Sequence, residues 1–163
     1  APVSLMPSID DASVAVALGA NQPSAVGLPR DTLVAVRPLL EKLLVDWAGQ
    51  ELRFRWSELL QTTPVGPVAQ PDYVNAVVLV EGLTAAPSES LALTLLERLH
   101  GLERRFGRER SKEQRWGPRT LDLDLLFWGE LRLDHPLLML PHPRMHLRAF
   151  VLEPLLQVMQ QRH

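Results

Sequence analysis

The hydrophobic residues of this chain follow two different spacings, which predict an α+β fold, a sandwich of an antiparallel sheet and helices. Three apolar runs have the length of strands, at 13–20, 73–81 and 120–127. Between them lie two longer segments whose apolar residues recur every three or four positions, as on one face of a helix. A chain of 163 residues is long enough for both kinds of element to share one core.

The first third of the chain predicts a strand followed by a helix. The run 13–20 leads into a loop, 21–29, that is rich in proline, glycine and serine. Asp31 or Thr32 is then expected to cap a helix, and Pro38 inside it should either kink the helix or delay its start. Six apolar residues at helical spacing define the buried side of this helix: Leu33, Val36, Leu40, Leu43, Leu44 and Trp47.

The middle of the chain predicts two further strands and a second helix. Residues 52–60 alternate in part between apolar and polar, which favours a strand, and a proline-rich loop follows at 61–72. The run 73–81 is so continuously apolar that we expect a central strand. Ser88 is in position to cap the second helix, which Gly107 ends.

The last third predicts a strand and a closing helix. A polar, basic connection at 108–119 precedes the strand 120–127. We expect a short extra strand at 131–133, a proline-punctuated loop at 136–144 and a helix at 147–158. The resulting order is that of the ferredoxin-like fold, with helices on one face of an antiparallel sheet and an extra C-terminal helix.

Composition narrows the classes of function. We expect residues 13–163 to form a single domain after a flexible lead-in at 1–12. The formal net charge of −2 does not favour nucleic acid or a membrane surface as a partner, and the absence of cysteine excludes disulfides and thiolate metal sites. No apolar run approaches the roughly 18 residues of a membrane span. We expect a cytoplasmic protein. We also expect a monomer, although composition does not determine the oligomeric state.

Two aspartates in the last strand predict a magnesium site. Asp122 and Asp124 are two residues apart, so in a strand both side chains project from the same face. Two neighbouring carboxylates repel each other when charged, and a divalent cation relieves that repulsion. Magnesium suits the pair because it accepts a few carboxylates and keeps positions for phosphate oxygens and water. The alternative is a solvated acidic face on an ordinary alternating strand.

The segment just before these aspartates is strongly basic. Residues 104–119 contain six arginines and one lysine against two glutamates, in a chain that is acidic overall. Because the guanidinium fork matches phosphate oxygens, a basic segment leading into a metal-binding strand favours a polyphosphate ligand. A solvated loop or a nucleic-acid patch is the alternative.

Several aromatic and polar residues are candidates for binding a planar ring. Trp116 interrupts the basic segment, where core packing does not explain it, and Tyr73 and Phe150 are further candidates for stacking. Asn75 shares a strand face with Tyr73, and its amide can both donate and accept. His142, between two prolines, is either a phosphate donor or a surface residue.

Four segments of the chain resemble the dihydropterin pyrophosphokinases of folate biosynthesis, in that family's order. The segment 115–126 (RWGPRTLDLDLL) is similar to the family signature, and 62–75 (TTPVGPVAQPDYVN) resembles its pterin-site loop and strand. The segments 141–150 and 16–21 resemble a third motif and the first strand with its turn. Together the matches span roughly residues 14–157.

The resemblance implies an enzyme and assigns its residues. It implies transfer of a pyrophosphoryl group from ATP to the hydroxymethyl oxygen of 6-hydroxymethyl-7,8-dihydropterin, with release of AMP. Two Mg²⁺ ions would be held by Asp122 and Asp124, which together with Arg108 and Arg119 would be the catalytic residues. The ATP site would comprise Glu103, Arg108, Arg110, Arg119, His142 and Arg148. The pterin pocket would comprise Thr62, Val65, Tyr73, Asn75, Trp116 and Phe150, with Tyr73 and Phe150 on either side of the ring.

Three other functions compete with this interpretation. Some ferredoxin-like sheets bind RNA through exposed aromatic residues, but this chain has one tyrosine, dispersed phenylalanines and a negative net charge. An Asp-x-Asp pair also occurs in nucleotide enzymes such as glycosyltransferases, for which 163 residues is short. A catalytically inactive relative is the third, although the metal and phosphate residues are all retained.

Overall fold

The computed structural model describes residues 13–62, 71–108, 119–143 and 149–160. The side chains of Thr62 and of residues 149–154 lie outside this description, as does the predicted lead-in at 1–12. The described helices are α1 (Pro29–Ala48), α2 (Glu89–Arg105) and α3 (Ala149–Gln160). The described strands are β1 (Val14–Ala20), β2 (Arg53–Trp56), β3 (Leu60–Thr62), β4 (Tyr73–Glu81), β5 (Asp122–Trp128), β6 (Leu133–His135) and β7 (Leu138–Leu140).

The main sheet has the order β2-β4-β1-β5, and β3 pairs with β4 beyond the end of β2. Every one of these pairings is antiparallel. β1 and β4 are the inner strands, and all seven residues of β1 are buried, which explains their continuous apolar runs. This is the topology of the ferredoxin-like fold, so the predicted fold class is confirmed.

The two faces of the sheet carry side chains of different size, and each face packs against different helices. On β1, Val14, Val16 and Leu18 project from the first face, where they form one core with α1 and α2. Ala15 and Ala17 alternate with them and project from the second face, where they form a smaller core with α3. The extra C-terminal helix therefore lies opposite the other two helices.

The strand β5 contains a register shift, after which its side chains project from the opposite face to the one that regular alternation would give. Ala15 lies opposite Phe127 while the next residue, Val16, lies opposite Leu125, so Leu126 is an additional residue in β5. Phe127 packs with α3, whereas Trp128 packs on the first face, with its ring 5.2 Å from that of Trp47 and edge-on to it. Asp122 and Asp124 precede the shift, so strict alternation holds for them.

The predicted start of the first helix is wrong. The helix begins at Pro29, and its N-cap is Leu28 rather than Asp31 or Thr32. Proline is favoured in the first turn of a helix because the amide hydrogen that it lacks has no intrahelical partner there. Asp31 acts from the first turn, where its Oδ2 accepts the Leu28 amide hydrogen at 3.0 Å. Pro38 lies within the helix and does not delay its start.

Two strand predictions also need correction. The predicted strand 52–60 is two strands, because Ser57 interrupts the ladder: its amide donates to the Val77 carbonyl and its Oγ accepts the Val77 amide hydrogen, both at 2.9 Å. The predicted loop 136–144 contains β7, which forms a hairpin with β6. No helix among the described residues is long and apolar enough to cross a membrane.

Candidate functional site

Polar side chains from three strands meet on the second face of the sheet, the face that α3 covers in part. In the strand register, Gly19 of β1 lies opposite Asn75 of β4 on one side and opposite Asp122 of β5 on the other. Asp124 is aligned with Ala17, two residues further along β1. Because side chains two residues apart share a face, Tyr73, Asn75 and both aspartates all project from this side of the sheet.

Gly19 makes this arrangement sterically possible. A Cβ atom at this position would lie 2.9 Å from the Asn75 Oδ1 atom and 3.6 Å from Cδ1 of Tyr73. Those two side chains therefore lean over the backbone of β1, towards the strand that bears the aspartates. In the sequence, Gly19 stands out only as part of a segment that resembles the family, although an isolated glycine inside a strand pattern often marks such a close approach.

A buried ion cluster fixes the position of Asp122. The Arg108 Nη1 atom donates to Oε2 of Glu103 at 2.8 Å and to Oδ1 of Asp122 at 2.7 Å. The same atom lies 3.1 Å from the Leu121 carbonyl oxygen. Glu103 Oε2 also accepts the Leu123 amide hydrogen at 2.8 Å, so α2 is joined directly to the backbone of β5.

Burial distinguishes the members of this cluster. The side chains of Glu103 and Arg108 are 1% and 4% exposed, whereas that of Asp122 is 28% exposed. A buried carboxylate needs a partner of opposite charge, and Arg108 provides it. Glu103 therefore contacts the protein's own groups, so it acts on the site by holding Arg108 in place.

The charge of the cluster suits a divalent cation. Glu103 and Asp122 contribute two negative charges and Arg108 contributes one positive charge, which gives the cluster a formal total of −1. Asp124 adds a further carboxylate on the same face of β5. Within the described residues, no three or more acidic, histidine or cysteine side chains form a group that could hold a metal ion. Two carboxylates on one face fit magnesium, which commonly binds one or two carboxylates and keeps positions for water and phosphate oxygens.

Arg119 lies three residues before Asp122, and His142 is attached to β5 from a later part of the chain. The Arg119 amide donates to Oδ1 of Asn21 at 2.7 Å, and its carbonyl oxygen accepts the amide hydrogens of Asn21 and Gln22 at 2.9 and 3.1 Å. The His142 amide donates to the Leu126 carbonyl oxygen at 2.7 Å, which places His142 next to β5.

The other predicted site residues are described only in part. Thr62 pairs with Tyr73 through the ladder of β3 and β4, and Phe150 lies in the first turn of α3, but their side chains lie outside the described structure. The remaining four predictions fall wholly outside the described residues: Val65, Arg110, Trp116 and Arg148.

A separate groove of about 810 Å³ opens on the first face of the sheet, between α1 and β2. Its lining includes Leu18, Val34 and Trp56 but none of the predicted site residues. Since Leu18 and Gly19 are neighbours in β1, this groove lies behind the polar site rather than within it.

The ion cluster leads to a prediction for stability. Replacing Glu103 with alanine leaves Arg108 with less compensation in a buried position and leaves the Leu123 amide without its acceptor. The Glu103→Ala variant is expected to lose about 3–5 kcal/mol of free energy of unfolding, measured with a chemical denaturant. The matched control is Glu97→Ala, in an exposed position of α2, which should change stability by less than about 0.5 kcal/mol. Equal losses in both variants would contradict a structural role for the Glu103 carboxylate.

Comparisons with known proteins agree with the geometry. The family model of 7,8-dihydro-6-hydroxymethylpterin-pyrophosphokinase matches residues 15–160. The chain is 41% identical over 143 residues to the 2-amino-4-hydroxy-6-hydroxymethyldihydropteridine pyrophosphokinase of Pseudomonas aeruginosa, which covers 87% of this chain and 77% of that protein. It is 37% identical over 143 residues to the enzyme of that name from Haemophilus influenzae, with coverage of 88% and 79%.

A longer relative contains the same region as one part. The chain is 42% identical over 106 residues to a mitochondrial folate synthesis bifunctional protein of Arabidopsis thaliana, which covers 64% of this chain and 18% of that protein. The family match extends over nearly all of the described elements, from β1 to α3. The resemblance found in the sequence is therefore confirmed, and the chain belongs to the 7,8-dihydro-6-hydroxymethylpterin-pyrophosphokinase family.

Proposed function

We propose that this protein is an ATP-dependent pyrophosphokinase of folate biosynthesis. It transfers a pyrophosphoryl group from ATP to the hydroxymethyl oxygen of 6-hydroxymethyl-7,8-dihydropterin and releases AMP. One observation supports this proposal above the others: on one face of the sheet, Gly19 separates Asn75 from Asp122. Groups suited to a heterocycle thus lie across a single strand from groups suited to a metal and phosphates.

The heterocycle half of the site is formed around β4. The Asn75 amide donates and accepts hydrogen bonds, as the ring of a pterin requires, and Tyr73 offers a face for stacking. Phe150 is proposed to cover the other side of the ring. The pocket is completed by Thr62, Val65 and Trp116.

The phosphate half of the site is formed around β5. Asp122 and Asp124 are proposed to hold two Mg²⁺ ions, which would neutralise the charge of the polyphosphate. The phosphates are held by Arg108, Arg110, Arg119, His142 and Arg148. Glu103 supports this half through its contacts with Arg108 and Leu123. At least one of these cationic side chains, that of Arg108, is attached to the scaffold through its bond to Asp122.

The reaction is a direct in-line displacement. The hydroxymethyl oxygen forms a bond to the β-phosphorus as the bond from that phosphorus to the bridging oxygen of AMP breaks. The hydroxyl proton passes to an aspartate carboxylate or to water, and AMP leaves with the bridging oxygen. Such a step depends on positioning and on charge neutralisation rather than on a covalent intermediate. The arginines supply both, and the aspartates would hold the metal ions that add to the neutralisation.

The wider organisation of the protein is part of the same proposal. We take residues 13–163 as one catalytic domain that acts as a monomer in the cytoplasm, with ATP and the dihydropterin as its partners. Family membership does not favour the alternative of an RNA-binding module.

The first test is product analysis. The protein is incubated with ATP, Mg²⁺ and 6-hydroxymethyl-7,8-dihydropterin, and nucleotides are separated by chromatography. The expected product is AMP that depends on the pterin, without ADP. Formation of ADP would contradict pyrophosphoryl transfer, and absence of AMP from folded protein would indicate an inactive relative or another acceptor.

Replacing Asp124 tests the metal pair. The Asp124→Ala variant should lower kcat by about 100-fold or more, because it removes a proposed ligand of the Mg²⁺ ions that would neutralise charge in the transition state. Its thermal stability should be unchanged or raised, since the mutual repulsion of the two carboxylates is removed. Asp134→Ala, in an exposed position of β6, is the matched control and should retain activity. A near-normal rate for Asp124→Ala would exclude this residue from the mechanism.

Replacing Gly19 tests the heterocycle half. In the Gly19→Ala variant the new Cβ atom displaces the Asn75 amide, so KM for the pterin should rise about tenfold, the equivalent of one hydrogen bond. KM for ATP should change much less. Gly101→Ala is the control, since a Cβ atom there meets only an ordinary contact at 3.6 Å, with the Arg104 Nη2 atom. If both variants have the pterin KM of the unmodified enzyme, the close approach at Gly19 has no role in binding.

A further inference from the structure

Asn21, the residue directly after β1, is a buried polar residue for which the mechanism above has no role. It is 1% exposed. The Nδ2 atom of its side chain donates to the Pro71 carbonyl oxygen at 3.2 Å, and its Oδ1 atom accepts the Arg119 amide hydrogen at 2.7 Å. A single side chain thus joins two segments that lie 48 residues apart in the sequence.

The backbone of Asn21 strengthens one of these two contacts. Its amide donates to the Arg119 carbonyl oxygen at 2.9 Å, and the Gln22 amide donates to the same oxygen at 3.1 Å. Arg119 is therefore held at both its amide and its carbonyl group. The contact with Pro71, in contrast, depends on the Asn21 side chain.

The two joined segments lead into the two halves of the site. Pro71 is two residues before Tyr73, where β4 begins, and Arg119 is three residues before Asp122, where β5 begins. β4 and β5 do not pair with each other, because β1 lies between them. At this end of the sheet, the distance between the heterocycle half and the phosphate half depends on β1 and on the residue that follows it.

We propose that Asn21 is a positioning residue for the transfer reaction, which sets the alignment of the heterocycle half against the phosphate half. This inference rests on the proposed function. Asparagine suits the task because its amide combines a donor and an acceptor. Alignment matters because a displacement of 1 Å between reacting groups costs about 100-fold in rate.

Two substitutions separate the contacts. Asn21→Ala removes both side-chain bonds. Asn21→Asp keeps an acceptor for the Arg119 amide but places a carboxylate oxygen against the Pro71 carbonyl oxygen, so only the contact with the β4 side is lost. Gln22→Ala is the matched control, because Gln22 is exposed and acts through its backbone amide.

The experiment measures kcat and the KM values for ATP and pterin, after thermal unfolding has shown that each variant is folded. Asn21→Asp is expected to raise the pterin KM about tenfold and to leave the ATP KM within about twofold. Asn21→Ala should in addition lower kcat by about 10- to 100-fold. Gln22→Ala should match the unmodified enzyme.

A direct effect of the negative charge introduced by Asn21→Asp can be distinguished from the loss of the Pro71 contact. If that charge acted directly on the ligands, it would raise the KM for the anionic ATP, and high salt would reduce the effect. An effect confined to the ATP KM, equal kcat values for the Asp and Ala variants, or unchanged constants in both variants would each overturn the proposal.

Hydrogen exchange of the unmodified protein provides a readout that does not depend on activity or on a folded variant. The Arg119 amide should exchange as slowly as the amides of β1, since Asn21 holds it. Rapid exchange at Arg119 would overturn the proposal even if both variants failed to fold. Absence of AMP from the unmodified enzyme, by contrast, would count against the proposed function and leave the Asn21 contact to be judged by exchange.

Discussion

The alternation of large and small side chains along β1 is the constraint on which the rest of the structure depends. Val14, Val16 and Leu18 fill the core beneath α1 and α2. Ala15 and Ala17 project from the other face, where their small side chains let α3 pack closely. Gly19, in line with them, has no side chain and lets Asn75 lean over the strand. β1 thus contributes to the core on one face of the sheet and lies beneath the candidate site on the other.

The electrostatics of the site follow from what this scaffold buries. Arg108 and Glu103 are shielded from water. In such a buried position, charges interact more strongly than on the surface. Glu103 is bonded to Arg108, and Arg108 in turn holds the more exposed Asp122. The cluster keeps an excess of negative charge, which favours a cation as its partner. A metal–polyphosphate complex would supply that cation, and its phosphate oxygens would accept hydrogen bonds from the arginines. The fold therefore holds Arg108 and Asp122 together through its own contacts.

Regular segments were predictable from the sequence, and short or irregular ones were not. β1, β4, β5 and α2 have long apolar patterns, and their predicted positions agree with the structure within a few residues. The division of 52–60 into two strands depends on a bond between Ser57 and Val77, which no local pattern reveals. The short strand expected at 131–133 overlaps β6 only at Leu133, and β7 was not predicted, because three residues are too few for a periodicity to be detected.

The sequence by itself determined that Asp122 and Asp124 share one face, because side chains in a strand alternate whatever lies around them. It also determined the family, because the segment around these aspartates is specific. Only the tertiary structure decided what faces the aspartates. The position of Asn75 across Gly19, the burial of Arg108 by Glu103 and the link from Asn21 to Pro71 and Arg119 all depend on strand register and helix packing. These join residues far apart in the chain, and local spacing carries no information about which distant residues will meet.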